Sequence, residues 1–176
     1  MNIVPTEEEV VRILKETGAL RIGHFEYPNG LHSDEYLQIP LAMRYSQHAR
    51  TLSVGLSRKL RQNPEIRAAI SELSIVAPAT AGLPVAYGVC EALRSHQVYW
   101  AERGEDCAER AWRFRQFLEQ VPGERVVLVD DILRTGKNLA EVKEYVESRG
   151  AQVVALAVVV YQPTPRTPSF GDLPFY

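Results

Sequence analysis

The sequence lacks a disulfide framework. It carries two cysteines, Cys90 and Cys107, in no spacing that suits a metal, which argues for a reducing, cytoplasmic setting and for unpaired thiols. It also lacks a surplus of either charge: 20 Lys and Arg against 22 Asp and Glu give a formal charge of -2. No global positive field therefore draws the chain to nucleic acid or an anionic membrane, and any anion site must be local. Long apolar runs are missing too. The longest, Val153 to Tyr161, is nine residues, well below the roughly 20 that a membrane-spanning helix needs. The opening residues, Met1 to Glu9, are acidic where a secretory signal is basic, so export is not expected. There is no internal repeat, no Gly-x-Gly-x-x-Gly pattern and no cluster of His and Cys, which leaves a dinucleotide site or a protein-held metal without support.

What is present is a chain of 176 residues, 45% hydrophobic, enough for one sizeable core and one expected domain over residues 1–176. Thr6 and Glu9 form a capping box ahead of Val10, Val11 and Leu14, which predicts a helix to about Thr17, before Gly18. From Gly23 to Gln38 the text is turn-rich, a loop or short hairpin. A second helix is expected from Ser46, with Leu52, Leu56 and Leu60 at helical spacing, ending near Asn63-Pro64. Three apolar runs of strand length follow, Ser74 to Ala77, Gln97 to Ala101 and Arg125 to Val129, and a fourth spans Gln152 to Tyr161. Helices are expected from Pro84 to about Arg94 and from Asn138 to Arg149. Strands that are apolar throughout, alternating with helices, predict an α/β fold with a mostly parallel twisted sheet and flanking helices on both faces. Residues 1–45 form an N-terminal part, 46–162 the core, and 163–176 a proline-rich tail expected to run extended over the surface.

In such sheets ligands bind beyond the carboxyl ends of strands. The run Arg125 to Val129 leads directly into Asp130 and Asp131, expected at the strand's exposed end. Then comes Arg134-Thr-Gly-Lys-Asn138, a small turn opening a helix whose first amides lack intrahelical partners. Carboxylates accept hydrogen bonds from vicinal hydroxyls, and Thr135 with the amides of Arg134 to Asn138 suits a monophosphate, so a ribose 5-phosphate matches both. Either feature alone is met at ordinary strand ends, and Asn138 with Glu141 reads equally as a helix cap. Together and in this order they favour a site. A nucleotide triphosphate loop is disfavoured, since Asp131 stands where its first glycine belongs and Asn138 where its hydroxyl residue belongs. Ala77 to Pro84, with Ala79, Thr80, Ala81 and Gly82, is a second small-residue turn between strand and helix that lets amides approach an anion.

Val126 to Asn138 resembles the signature of type I phosphoribosyltransferases that binds 5-phosphoribosyl-1-pyrophosphate (PRPP): four apolar residues, two acids, two apolar residues and a Thr-Gly turn. The resemblance continues through Ala19 to Phe25, Asn29 to Asp34 and Tyr36, similar to the N-terminal hood of the orotate branch, and through Ala77 to Pro84, similar to the pyrophosphate loop. It implies that Asp130 and Asp131 hold the ribose hydroxyls, that Arg134, Thr135, Gly136, Lys137 and Asn138 hold the 5-phosphate, and that Ala79, Thr80, Ala81 and Gly82 hold pyrophosphate. It further implies Mg2+ held mainly by PRPP, a pyrimidine-type nucleobase with orotate first, pyrimidine biosynthesis as the setting, and a homodimer. Glu102 to Gln116 falls where the family has a loop that closes over PRPP, and Arg103 is the expected closing cation, with Arg110, Arg113 and Arg115 further along. The chain departs from the pattern in having no lysine or histidine between 102 and 116, Ala81 for a common glycine, and Lys137 and Asn138 in the phosphate turn. Tyr161-Gln162-Pro163 stands where the family places an arginine for the orotate carboxylate, with Arg166 the candidate substitute. A PRPP-sensing protein without catalysis, or an enzyme for another base, is the alternative expectation.

Overall fold

The capping box at Thr6 forms as the sequence requires. Thr6 Oγ1 accepts from the Glu9 amide at 3.3 Å while Glu9 Oε2 accepts from the Thr6 amide at 2.9 Å, and Glu7–Glu16 is helix α1. The structure, a computed structural model, describes residues 4–26, 30, 32–104, 111–114 and 121–176. Leu20–Glu26 (β1) and His32–Leu37 (β2) pair antiparallel, so the turn-rich stretch is a hairpin. The expected turn residues Tyr27, Pro28, Asn29 and Leu31 lie outside the described residues.

Pro40–Met43 (α2) precedes Ser46–Leu60 (α3), and Pro64–Ala68 (α4) follows it. Asn63-Pro64 ends one helix and starts the next. The Asn63 side chain accepts from the amides of Glu65 and Ile66 at 2.9 and 3.2 Å, and Pro64 occupies the first turn, where no amide is needed. Then come Ser74–Pro78 (β3), Leu83–Leu93 (α5), Gln97–Arg103 (β4), Trp112–Phe114 (β5), Arg125–Leu133 (β6), Lys137–Ser148 (α6) and Gln152–Tyr161 (β7). The sheet order is β5-β4-β3-β6-β7. The pairs among β4, β3, β6 and β7 are parallel, and β5 is an antiparallel edge.

Both faces of the sheet are covered, as expected. Val127, Val129, Ala155 and Ala157 pack with Leu52 and Leu56 of α3 and with Val85 and Val89 of α5. Val126, Leu128, Val153 and Leu156 pack with Leu139, Val142 and Val146 of α6. Each such Val or Leu side chain contributes roughly 1.5–3 kcal/mol when withdrawn from water, which is why β6 and β7 are held between two apolar layers. The hairpin is rooted on the first face by Ala19 and Ile39, with Leu20 and Leu37 partly buried against it.

Two expectations are corrected. The stretch 102–116 is not wholly loop, because Trp112 is 7% exposed and buries its ring in the second core, carrying β5 onto β4. Within that stretch Arg110, Arg115, Glu105, Asp106 and Glu109 lie outside the described residues, as does Cys107. The tail does not merely cross the surface. Leu156 N–H donates to Pro174 O and Tyr176 N–H to Leu156 O, at 2.9 and 3.0 Å, and Val158 N–H donates to Tyr176 O at 2.9 Å. Strand β7 ends the sheet order, and the tail takes up polar groups that an open edge exposes. Among the described residues no helix is long and apolar enough to cross a membrane.

Candidate active site

The acid pair lies inside β6 rather than beyond it. The β6–β7 ladder continues to Leu133 opposite Tyr161, and Asp130 and Asp131 are each 7% exposed, against the exposed strand end expected from the sequence. The reason is the length of β7, whose apolar run keeps pairing after the apolar part of β6 has ended. The Asp131 amide donates to Asp130 Oδ1 at 2.9 Å, and the Ile132 amide to Asp131 Oδ1 at 2.8 Å. Burial pushes the Asp130 carboxyl well above its usual range, and the adjacent Asp131 charge adds to it. Burial raises Asp131 as well, opposed by its hydrogen bonds. Among the described residues no Lys or Arg pairs with either acid, so two buried oxygen clusters stand without a counterion, an expensive arrangement that signals a ligand more than a structural bridge.

Gly82 closes the turn between β3 and α5 directly against this pair. A Cβ there would lie 2.8 Å from Pro78 O and 3.0 Å from Asp130 Oδ1, so only glycine allows the approach. The turn is held from both sides: the Ala79 amide donates to Ala101 O at 2.8 Å, the Leu83 amide to Thr80 O at 3.2 Å, and the Ala79–Thr80 peptide is cis. Thr80 is exposed, and Ala79 and Ala81 are half-buried beside it. The two segments singled out from the sequence thus come into contact at the carboxyl ends of the neighbouring central strands β3 and β6.

The third segment adjoins them. Gly136 has φ +67° and caps α6 without a side-chain hydrogen bond, so the first-turn amides meet no cap from it, and Thr135 Oγ1 makes only a long contact with one of them. Asp130 and residues 132–139 line a cavity of about 110 Å³, the size of a small anion. Thr135, Lys137 and Asn138 are exposed at its rim, and Thr135 Oγ1 sits 3.5 Å from the Lys137 amide. The tail backs the turn: Thr167 Oγ1 donates to Arg134 O, and a Cβ on Gly136 would meet Pro168 and Thr167 at 3.2 Å. A larger cavity of about 720 Å³ lies along α3 and α5, but no buried acid pair or glycine-walled turn lines it, so chemistry rather than size locates the site.

Two arginines sit differently from the expectation. Arg103, the last residue of β4, donates from Nη2 to Glu141 Oε2 at 2.6 Å and to Asn138 Oδ1 at 3.0 Å. Its guanidinium lies 4.6 Å from the Trp112 ring centroid, and Trp112 Nε1 donates to the same Glu141 oxygen at 2.7 Å. Glu141, read from the sequence as a capping partner of Asn138, instead ties β4 and β5 to the first turn of α6. Lys137 Nζ adds a long 3.8 Å pair to Glu141. Arg134 shares its backbone with the turn that opens α6, but its side chain leaves it: Nε donates to Gln162 Oε1 at 2.8 Å, and Gln162 Nε2 donates to Glu35 Oε2 at 3.3 Å. Arg166, the candidate substitute cation, is exposed on the tail, and its amide donates to Thr164 Oγ1 at 3.3 Å. Sequence reading missed Glu35, Glu141 and Trp112 as members of the site region. Only Trp112 carried a signal, an aromatic amid charges.

A buried acid pair beside two glycine-bearing turns that each open a helix is an arrangement suited to a sugar phosphate, and the chain belongs to the phosphoribosyl transferase domain family, which it matches over residues 45–172. Within that family it is similar to orotate phosphoribosyltransferases. The enzyme of that name from Carboxydothermus hydrogenoformans is 33% identical over 168 residues, covering 96% of this chain and 82% of the relative. In three dimensions the crystal structure of orotate phosphoribosyltransferase from Aeropyrum pernix superposes with a TM-score of 0.70 at 23% identity, covering 86% of this chain and 81% of that one. A crystal structure of adenine phosphoribosyltransferase gives a TM-score of 0.68 at 18% identity, covering 93% and 97%. The fold is therefore common to enzymes named for different bases.

Proposed function

We propose that this phosphoribosyltransferase transfers the 5-phosphoribosyl group of PRPP to a pyrimidine, orotate first, with release of pyrophosphate. The observation that carries this reading is the meeting of the buried acid pair Asp130 and Asp131, which no Lys or Arg among the described residues pairs, with Gly82 on one side and the α6 turn on the other. The amides of Arg134 to Asn138 and the Thr135 hydroxyl hold the 5-phosphate. Asp130 and Asp131 accept from the ribose hydroxyls, whose O–H groups add to the one backbone amide that each carboxylate already accepts. Amides of the turn at Ala79, Thr80, Ala81 and Gly82 receive the pyrophosphate, where negative charge grows as its bond to ribose C1 breaks. The electron pair of that bond leaves with pyrophosphate, and a base nitrogen forms the new bond to C1 as its N–H proton passes to the departing pyrophosphate or to water.

Mg2+ travels with PRPP in this reading, and its chemistry is neutralisation of charge on the departing pyrophosphate. The carboxylate oxygens of Asp130 and Asp131 are hard donors with no Lys or Arg bonded to them among the described residues, which fits such an ion held through substrate oxygens and water. Arg103 is the cation that closes on the leaving group, exchanging Glu141 for phosphate oxygens. A homodimer acting in the cytoplasm, without nucleic-acid or membrane partners, completes the reading, supported by the balanced charge of the sequence and by the family resemblance. A PRPP sensor without catalysis is the second reading, favoured by the hold of Glu141 and Asn138 on Arg103.

The experiment is Mg2+-dependent consumption of orotate, followed by ultraviolet absorbance, with Asp131→Asn as control. Turnover lost in the variant supports the enzyme. PRPP binding by calorimetry with no product from any base in a purine and pyrimidine panel establishes the sensor instead.

A further inference from the structure

We propose that Thr167, in the tail, is a positioning residue for the 5-phosphate: its hydroxyl holds the Arg134 carbonyl and so directs the Thr135 amide into the cavity at the start of α6. This rests on the proposed function above and deepens it, placing part of the control of the phosphate site 33 positions from Arg134.

The Arg134–Thr135 peptide is trans. In a planar trans peptide the carbonyl and the following N–H point in opposite directions, so whatever binds the carbonyl also sets the aim of the amide. Thr167 Oγ1 donates to Arg134 O. The tail packs behind the turn, where a Cβ on Gly136 would meet Pro168 Cδ and Thr167 Cγ2 at 3.2 Å and the Phe170 ring at 3.4 Å. The cavity in front is lined by Asp130 and residues 132–139 and by no tail residue. The carbonyl therefore faces the tail, and the Thr135 N–H faces the cavity. Among the described residues that amide has no hydrogen-bond partner, which leaves it for an anion. With the peptide flipped, the carbonyl oxygen would present its partial negative charge to the phosphate instead.

The Thr167 hydroxyl is itself aimed. Its oxygen accepts the Thr164 amide at 2.8 Å, and the Thr167 amide donates back to Thr164 O at 2.9 Å. This closed turn leaves the O–H proton for Arg134 O. The Thr164 hydroxyl, 3.3 Å from Thr167 Oγ1, accepts the Arg166 amide. Beyond the turn the tail is anchored twice. Phe170 and Leu173 pack against the core beneath α6, and Pro174 and Tyr176 bond to Leu156 and Val158 of β7. The phosphate turn is thus braced from the sheet edge as well as by its own helix.

The test titrates the full chain with Mg2+ by calorimetry against PRPP, ribose 5-phosphate and inorganic pyrophosphate. Thr167→Val keeps the shape of the side chain and removes the hydroxyl. It should weaken PRPP and ribose 5-phosphate by about tenfold, the effect of one lost hydrogen bond, while pyrophosphate moves less than about twofold and so reports an intact fold. Thr167→Ser, which keeps the hydroxyl, should stay within about twofold of the unaltered chain for all three ligands. Unchanged affinity for PRPP and ribose 5-phosphate in Thr167→Val would overturn the inference. So would an equal loss for all three ligands, or a loss in Thr167→Ser as large as in Thr167→Val, since packing rather than the hydroxyl would then be responsible. Each of these results leaves phosphoribosyl transfer standing. Failure of the unaltered chain to bind PRPP at all would instead overturn the function, and this inference with it.

Discussion

Replacing Gly82 by alanine probes the contact on which the site depends. The added Cβ would stand 2.8 Å from Pro78 O, 3.0 Å from Asp130 Oδ1 and 3.2 Å from the Ala77 Cβ. Two of these neighbours belong to β3, where Ala77 and Pro78 are paired to Trp100 and Ala101 of β4, so they have little room to withdraw. The Asp130 carboxylate can turn, but only by giving up the Asp131 amide that it accepts at 2.9 Å. Overpacking of this kind costs about 1–3 kcal/mol, which for a chain of this size lowers Tm by ~2–4 °C per kcal/mol. Calorimetric unfolding should therefore show a drop of roughly 2–12 °C. Titration of PRPP with Mg2+ should show an affinity loss of at least about tenfold, because both the turn and the acid are displaced. Gly23→Ala serves as the control, since its Cβ meets only the Phe25 ring at 3.4 Å. A Gly82→Ala protein with Tm and PRPP affinity unchanged would refute the contact between turn and acid pair.

Three further outcomes are expected. Asp130→Asn should stabilise the ligand-free chain near about pH 8. The folded Asp130 carboxyl binds its proton more tightly than the unfolded one does near 3.8, so native stability falls as pH rises through that window. The gain in urea midpoint should shrink toward zero below about pH 4, and a gain constant with pH would contradict the burial cause. Gly136→Ala should cost about 1–2 kcal/mol for its left-handed backbone and more for its contacts at 3.2 Å with Pro168 and Thr167. Gly171→Ala, with φ +66° and nothing within 4 Å, should cost the backbone part alone, as denaturant titration of both variants would read. Arg103→Ala should lower kcat about a hundredfold or more with a small change in Tm, since its pair with Glu141 is about one-third exposed; an unchanged kcat would remove Arg103 from the chemistry.

The strands were legible because Val126 to Val129 and Val153 to Val160 are apolar without alternation, a pattern that only a doubly covered sheet accommodates. The order of acids, Thr-Gly turn and helix was legible for the same local reason. Short helices α2 and α4 were not, being too brief to show a period. Strand β5 escaped because Trp112 gains its burial from α6 and its hydrogen bond from Glu141, neither of which lies nearby in the chain. The burial of Asp130 and Asp131 depended on the length of β7, a partner strand whose register is set by tertiary packing. The Glu35–Gln162 contact joins residues 127 positions apart, and Arg134 meets Gln162 across 28; no local pattern encodes either. Local order thus gave away the turn that opens α6, while the contacts among Glu35, Arg134 and Gln162 were assembled only by the fold.

A crystal structure of the chain with PRPP and Mg2+ is the most direct measurement. The 5-phosphate is expected on the amides at the start of α6, with both ribose hydroxyls on Asp130 and Asp131 and the pyrophosphate against Gly82. PRPP bound elsewhere, or seated there with the two aspartates turned away from the sugar, would contradict the assignment of this strand end as the active site.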